Sequence, residues 1–196
     1  MLYYHASRAI YKVEDVIHVP EGEAALAYQL SLENSHAWRE KALEIARKAR
    51  SCPRQTAVYA ATSLANAARF LVSQPDPERR PVRVYEVSIT QPEPSPTVLI
   101  AYIDAHGATF SSLAACMEEY WLRKQDWKFL EFVCQRLVVI AMLDVIEDME
   151  LLVSGEQYAE DRKLAEKIWG KPPSRPKPRK PAEPEMKADD ENEVPE

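Results

Sequence analysis

Three short segments of this chain carry side chains that could together act on a ribose attached to a flat ring. The first is His5-Ala6-Ser7-Arg8, which follows the apolar residues 2–4. The others are Tyr59, with Phe70 eleven positions later, and Glu131, an acid within an apolar run. An imidazole hydrogen-bonds to hydroxyls, two rings hold a planar heterocycle by stacking, and a carboxylate stabilises positive charge. The set suits a nicotinamide and its ribose.

Each of these residues also has an ordinary structural explanation. His5 is placed where the first predicted strand ends, so it could simply satisfy a neighbouring turn. Phe70 could belong to the core, and Glu131 could point to solvent from an alternating strand. Its same-face neighbours Phe129 and Val133 are apolar, however, and a carboxylate among them needs a partner, a water-lined cleft or a function.

The composition predicts one soluble domain in a reducing compartment. The chain has 196 residues, of which 46% are hydrophobic and 29% charged, and its net charge is -6. Such a charge gives no overall basic field for nucleic acid or an anionic membrane. The longest apolar run, Leu137 to Leu143, is far shorter than the roughly 20 residues that span a bilayer. With no secretory leader pattern, we expect a cytoplasmic protein.

The sequence does not indicate a metal site. The three cysteines (Cys52, Cys116 and Cys134) and the histidines other than His5 lack the spacing of metal ligands, so buried, reduced thiols are expected. The four glycines form no phosphate-binding loop.

The last part of the chain differs from the rest. Residues 171–196 are rich in proline, and a basic half precedes an acidic half. Because such a segment buries too little surface to offset its ordering entropy, we predict a disordered tail after a folded domain of residues 1–170. A docking role for the basic half stays open.

The periodicity of the domain predicts several strands with helices segregated between them, which indicates an α+β fold. Strands are predicted at residues 2–4, 56–60, 82–89, 98–103, 129–133 and 137–141. Helices are predicted at residues 37–50, 64–72, 111–123, 143–153 and 157–169. Residues 9–17 read as a turn or short helix, and residues 24–32 as strand or helix. Ser63 is expected to cap the second helix, and the first is expected to bury Trp38, Ala42, Ile45 and Ala49.

The three segments resemble the His-Tyr-Glu triad of the ADP-ribosyltransferase superfamily, in the branch of diphtheria toxin and the poly-ADP-ribose polymerases. That family carries His-Gly-Ser or a similar triplet on its first strand. It also carries a tyrosine followed eleven positions later by a second tyrosine, and a glutamate on a late strand. The similarity in order and approximate spacing covers about residues 2–145. It implies a split antiparallel β-sheet core with surrounding helices, and NAD in the cleft.

The resemblance also implies a role for each residue. His5 would bind a ribose hydroxyl and the Ala6 backbone the carboxamide, within a cofactor-binding segment that includes Ser7 and Arg8. Tyr59 and Phe70 would enclose the nicotinamide. The catalytic Glu131 would hold the 2′-hydroxyl of the nicotinamide ribose.

The chain departs from the family pattern at four positions. Ala6 stands where glycine is common, and Phe70 replaces the second tyrosine. Ala67 occupies the place of a serine that helps the polymerases hold the carboxamide. Phe129 lies two residues before Glu131, where arginine-modifying members carry an acid or amide, so arginine is not the expected acceptor.

The expected activity is mono-ADP-ribosyl transfer from NAD, without a metal, to a protein, nucleic-acid or small-molecule acceptor. Two alternatives remain open. One is an RNA 2′-phosphotransferase, which shares the fold but would require more basic residues near His5. The other is a non-catalytic protein-interaction module with a decayed site.

Overall fold

Two antiparallel sheets form the centre of this α+β protein, which a computed structural model describes. The structure describes residues 1–33, 36–47, 52–72, 76, 78, 80–146 and 156–173, except the side chains of Phe70, Ile146, Glu156 and Gln157. Six α-helices surround the sheets within these residues. The α+β class predicted from the sequence is confirmed.

The larger sheet has the strand order β1-β4-β7-β2. Its longest ladder joins β4 to β7, from Val82 opposite Ile146 to Ile89 opposite Leu137, with two irregularities of register. The sheet consists of β1 (Tyr3–Ser7), β2 (Val16–His18), β4 (Val82–Ile89) and β7 (Arg136–Ile146).

The smaller sheet has the strand order β3-β6-β5. Its central strand is β6 (Leu130–Cys134), between β3 (Val58–Ala60) and β5 (Glu93–Pro96). The sequence did not predict β5 because of its two prolines. Since β5 is an edge strand, a proline there need not donate to a ladder.

The two sheets meet where Tyr4 of β1 and Ala61, just after β3, exchange two backbone hydrogen bonds of 2.8 Å each. Inward-facing side chains of both sheets then pack together. Tyr85 and Leu137 are fully buried in this interior, beside Val58 and Ala60 of the smaller sheet. The ring of Tyr3 meets that of Phe132 edge-on, with centroids 4.9 Å apart.

A second core lies among the helices. Leu43, Leu99, Ile103, Met117 and Tyr120 are almost completely buried there. The helices are α1 (Leu26–Glu33), α2 (Ala37–Ala46), α3 (Leu64–Val72), α4 (Val98–His106), α5 (Leu113–Leu122) and α6 (Glu156–Trp169).

Two predicted elements are wrong. The strand predicted at residues 98–103 is the first part of α4, whose buried Val98, Leu99, Tyr102 and Ile103 have helical spacing. A helix was predicted from residue 143. The residues up to Ile146 instead belong to β7, because their pairing with β4 continues to that residue. Residues 147–155 lie outside the described part of the chain.

Several other boundaries are corrected or confirmed. His5 lies within β1 rather than after it. The open assignment at residues 24–32 is resolved as α1, and residues 9–17 contain a turn followed by β2 rather than a helix. Gln135 separates β6 from β7.

The predicted tail falls mostly outside the described residues, which end at residue 173. No helix in the described part of the chain is long and apolar enough to cross a membrane.

The cap of α3 provides a test of local stability. The Ser63 hydroxyl accepts a hydrogen bond of 3.2 Å from the Asn66 amide, as an N-cap does. Ser63→Ala is expected to lower the free energy of unfolding by about 1 kcal/mol, measured by urea titration. Thr62→Ala, a change at the exposed neighbouring residue, should alter it by less than about 0.5 kcal/mol. Equal effects of the two changes would argue against the cap.

Candidate functional site

The site is built where β1 and β3 separate. Beyond the Tyr4–Ala61 bridge, the His5 ring takes the place of the next backbone contact, with Nδ1 2.7 Å from the Tyr59 carbonyl oxygen. A carbonyl only accepts, so Nδ1 carries the hydrogen and Nε2 is an acceptor. Burial lowers the pKa of His5, although the bond to Tyr59 opposes this shift. The imidazole is therefore neutral at neutral pH.

This ring contact takes the place of a backbone hydrogen bond between Ala6 and Tyr59. In a continued antiparallel ladder Ala6 would oppose Tyr59, and its N–H would bond to the Tyr59 oxygen that His5 now occupies. The amide groups of Ala6 point the same way as those of Tyr4, away from β4, because backbone direction alternates along a strand. One donor and one acceptor of the Ala6 main chain thus point toward β3 rather than toward β4.

Tyr59 and Glu131 share one face of the smaller sheet. Tyr59 is paired with Val133, and Glu131 lies two residues from Val133 on the same side of β6. Diagonal neighbours of this kind lie about 7–8 Å apart. Phe129 and Val133, two residues before and after Glu131, are buried. The Glu131 side chain is 19% exposed to solvent.

Helix α3 borders the same face. The guanidinium of Arg69 lies 5.5 Å from the ring centroid of Phe129 and 4.4 Å from that of Tyr158 in α6. Phe70 is the next residue of α3, but its side chain lies outside the described part of the structure. The stacking partnership of Tyr59 with Phe70 therefore stays a prediction.

The remaining residues of the first segment make local contacts. The Ser7 hydroxyl accepts a hydrogen bond of 3.1 Å from the Ala9 amide. Arg8 donates to the Leu71 carbonyl at 2.7 Å, near the end of α3, and its Nε lies 3.3 Å from the Asp76 carboxylate. These contacts fasten the end of β1 to α3. A cofactor-binding role for Ser7 and Arg8 stays a prediction.

Glu131 has two partners, and both contact the same oxygen. The hydroxyl of Tyr120 donates to Oε1, and Nη1 of Arg54 lies 3.3 Å from it. Nη1 of Arg54 also donates to the Tyr120 hydroxyl, so the three groups form a closed arrangement. Within the described residues Oε2 makes no hydrogen bond, and it is not among the buried unpaired atoms. Oε2 is therefore not completely buried.

Arg54 is the centre of these contacts. Its guanidinium carbon lies 5.4 Å from the ring centroid of Tyr59 and 5.3 Å from that of Tyr120, and its Nε lies 2.9 Å from Oε2 of Glu40. Burial opposes its charge, but the tyrosine hydroxyls and the carboxylates of Glu131 and Glu40 raise the pKa of Arg54 above its ordinary value. The cation is held between aromatic faces and acids.

The buried acid Glu40 belongs to α2, together with Arg39. Nη2 of Arg39 lies 2.8 Å from Oε1 of Glu40, and Arg39 also donates to the Asp104 carboxylate of α4. Burial alone would raise the pKa of Glu40, but the charges and hydrogen bonds of Arg54 and Arg39 bring it below its ordinary value.

The expected burial of α2 is therefore wrong in part. Arg39, Glu40 and Leu43 are buried, whereas Ile45 is 77% exposed. The ion pairs of the first two residues turn a polar stretch of the helix inward. Ala49, the last residue of the predicted apolar face, lies outside the described residues.

Sequence reasoning missed Arg54, Tyr120 and Glu40. Tyr120 lies within the helix predicted at residues 111–123, but no functional role was expected for it. The one available signal was the need of a carboxylate in an apolar strand for a partner. Nothing in the spacing identifies that partner, because Arg54 lies 77 residues from Glu131 in the chain.

Neither a metal site nor a reactive thiol is found within the described part of the chain. No cluster that could hold a metal ion occurs among the residues that the structure describes. The three cysteines are free and buried, and burial raises the pKa of Cys116 and of Cys134 to about 12. Comparison of the sequence with protein-family models and with curated proteins finds no match.

The ion pair of Glu40 and Arg54 makes stability depend on pH. Glu40→Gln should lower the free energy of unfolding by about 3–5 kcal/mol near neutral pH, because Arg54 loses a buried partner. The folded pKa of Glu40 is lowered, so its contribution is present above the unfolded value of 4.5 and is lost as pH falls through the folded pKa.

The gap between wild type and Glu40→Gln should therefore narrow in urea titrations taken from about pH 7 to about pH 3.5. Glu118→Gln, at an exposed acid of α5 that pairs with Lys124 at 3.4 Å, serves as the control with little effect. A gap of constant size at all pH values would show that the charge of Glu40 is not responsible.

Proposed function

We propose that the protein is an NAD-dependent mono-ADP-ribosyltransferase with the split antiparallel sheet of that superfamily. One observation supports this function most: the His5 ring contacts the Tyr59 carbonyl beside Ala6, just beyond the Tyr4–Ala61 bridge, and Glu131 lies on the Tyr59 face of the smaller sheet. These groups come from three strands that are remote in sequence. The nicotinamide half of NAD would bind between β1 and β3.

The main chain of Ala6 matches a primary carboxamide. Nicotinamide carries one carbonyl acceptor and an amino donor on the same carbon. The N–H of Ala6 would donate to the carbonyl and the C=O of Ala6 would accept from the amino group. Pairing of both groups also satisfies polar backbone atoms that β3 leaves without ladder partners.

The neighbouring side chains suit the ring and the sugar. The Tyr59 ring can stack against the nicotinamide, a contact worth about 0.5–1.5 kcal/mol beyond the buried area. His5 is neutral with Nε2 as an acceptor, so it would accept a hydrogen bond from a ribose hydroxyl. Protonation of His5 would remove this acceptor.

Glu131 would stabilise the transition state. When the bond between ribose C1′ and the nicotinamide nitrogen breaks, its electron pair leaves with nicotinamide and the ribose becomes oxocarbenium-like. Glycosidases stabilise a similar charge with a carboxylate. Oε2 of Glu131 is open to accept from the 2′-hydroxyl, while Oε1 is held by Tyr120 and Arg54. The acceptor then attacks C1′, nicotinamide leaves as the neutral base, and the proton of the acceptor passes to the Glu131 carboxylate.

A non-catalytic interaction module is the second candidate. It is favoured by the contacts of Glu131 with Arg54 and Tyr120, since these could make the carboxylate part of a structural ion network. This candidate predicts binding of a protein without turnover of NAD.

The RNA 2′-phosphotransferase alternative has less support. It needs cations for phosphate near His5, whereas Arg8 donates to the Leu71 carbonyl and Arg83 to the Arg8 carbonyl.

The carboxamide contact predicts a specific ligand preference. Nicotinamide should bind and compete with NAD, whereas nicotinic acid should bind at least about tenfold more weakly, because its carboxylate has no donor for the C=O of Ala6. Calorimetric titration of the protein with each compound measures the difference. Equal affinities would contradict recognition by the Ala6 main chain.

Removal of the catalytic charge tests the activity itself. Wild-type protein incubated with NAD labelled in the nicotinamide ring should release nicotinamide, and Glu131→Gln should lower the rate about hundredfold or more. Glu118→Gln, an exposed acid of α5, is the matched control and should keep the wild-type rate. The absence of nicotinamide release by the wild type, with or without added protein or RNA acceptors, would refute the proposed transferase.

A further inference from the structure

We propose that Tyr120 and Arg54 are positioning residues that fix the Glu131 carboxylate by its Oε1, so that Oε2 is presented to the substrate. This inference rests on the proposed transferase function and assigns residues to the same site. Neither residue belongs to the three segments on which the resemblance is based.

The geometry divides the carboxylate into two different oxygens. Both donors reach Oε1, the hydroxyl of Tyr120 directly and Nη1 of Arg54 at 3.3 Å. A carboxylate held at one oxygen by two donors cannot rotate without breaking both bonds. Oε2 therefore keeps one direction, and it is the oxygen that stays accessible within the described structure.

The two donors are themselves fixed. Arg54 is only 5% exposed and is oriented by Glu40 through a contact of 2.9 Å. Tyr120 is fully buried in α5, and its hydroxyl oxygen accepts a hydrogen bond from Arg54. The one hydrogen of that hydroxyl is directed to Glu131. The order of donation is from Arg54 to Tyr120 and from Tyr120 to Glu131.

Charge balance at Arg54 does not require the hydroxyl of Tyr120. Arg54 has the buried carboxylate of Glu40, which it shares with Arg39, and the carboxylate of Glu131. The hydroxyl of Tyr120 adds no charge, yet it donates to Glu131 rather than to Glu40. A hydrogen bond to an ionised group is stronger than one between neutral groups, and it selects one orientation of the carboxylate. Orientation of reacting groups is a large part of catalysis.

Tyr120→Phe tests the inference, because it removes the hydroxyl and keeps the buried ring. We expect the rate constant of nicotinamide release from NAD to fall about tenfold or more with little change of KM. In protein that already carries Glu131→Gln, Tyr120→Phe should produce no further fall, because its effect passes through the carboxylate. Single-turnover release of labelled nicotinamide measures all four rates.

Tyr102→Phe is the matched control. Tyr102 is also buried and donates its hydroxyl to a backbone carbonyl, that of Gly170, but it lies in α4, and this hydroxyl is not hydrogen-bonded to a site residue in the described structure. It should keep the wild-type rate. Urea titration of each variant then separates loss of fold from loss of positioning, and Arg54→Lys, which keeps the charge but not the fork of donors, should reproduce part of the Tyr120→Phe defect.

The outcomes are distinguishable. Turnover by the wild type, with a folded Tyr120→Phe variant as active as Tyr102→Phe, would overturn this inference alone. An equal further loss in the Glu131→Gln background would also overturn it, because the two residues would then act independently. If the wild type fails to release nicotinamide, the proposed function and this inference fall together.

Discussion

The buried cation of Arg54 fixes how the helices meet the smaller sheet. Its contacts reach Glu40 in α2, Tyr120 in α5, Tyr59 in β3 and Glu131 in β6. An arginine without partners in such a place costs several kcal/mol, so these elements must keep their relative positions. The same constraint that holds the layers together therefore determines where the Glu131 carboxylate lies.

Local sequence patterns were sufficient to predict the elements whose secondary structure does not depend on distant parts of the chain. The alternation of β4 and the serine-capped α3 were predicted with the observed boundaries. The pattern failed where distant pairing decides. An apolar run became α4, an apparent loop with two prolines became β5, and an apparent helix start completed β7 along its ladder with β4. None of these partners is visible within a short window of sequence.

The candidate site shows the same division. Residue type identified Glu131 as a carboxylate that needs a partner, and its strand position is confirmed. The partner, Arg54, comes from a turn that is distant in sequence. Its counter-ion Glu40 lies in α2, and the burial of Glu40 is the reason why the expected burial of that helix was wrong in part. Sequence periodicity treats charge as a mark of the surface. Pairing between two buried charges breaks that rule, and the pair can be found only in three dimensions.

The separation of β1 from β3 has a consequence for how this chain can change during evolution. The hydrogen-bond donor and acceptor at this place are the backbone N–H and C=O of Ala6. Every amino acid except proline supplies both groups. If the proposed function holds, recognition by such atoms would survive replacement of the side chain, provided that His5 continues to occupy the Tyr59 carbonyl. Selection would then preserve His5 and the course of β1 rather than a sequence motif. Related chains could keep the same backbone geometry while their sequences diverge.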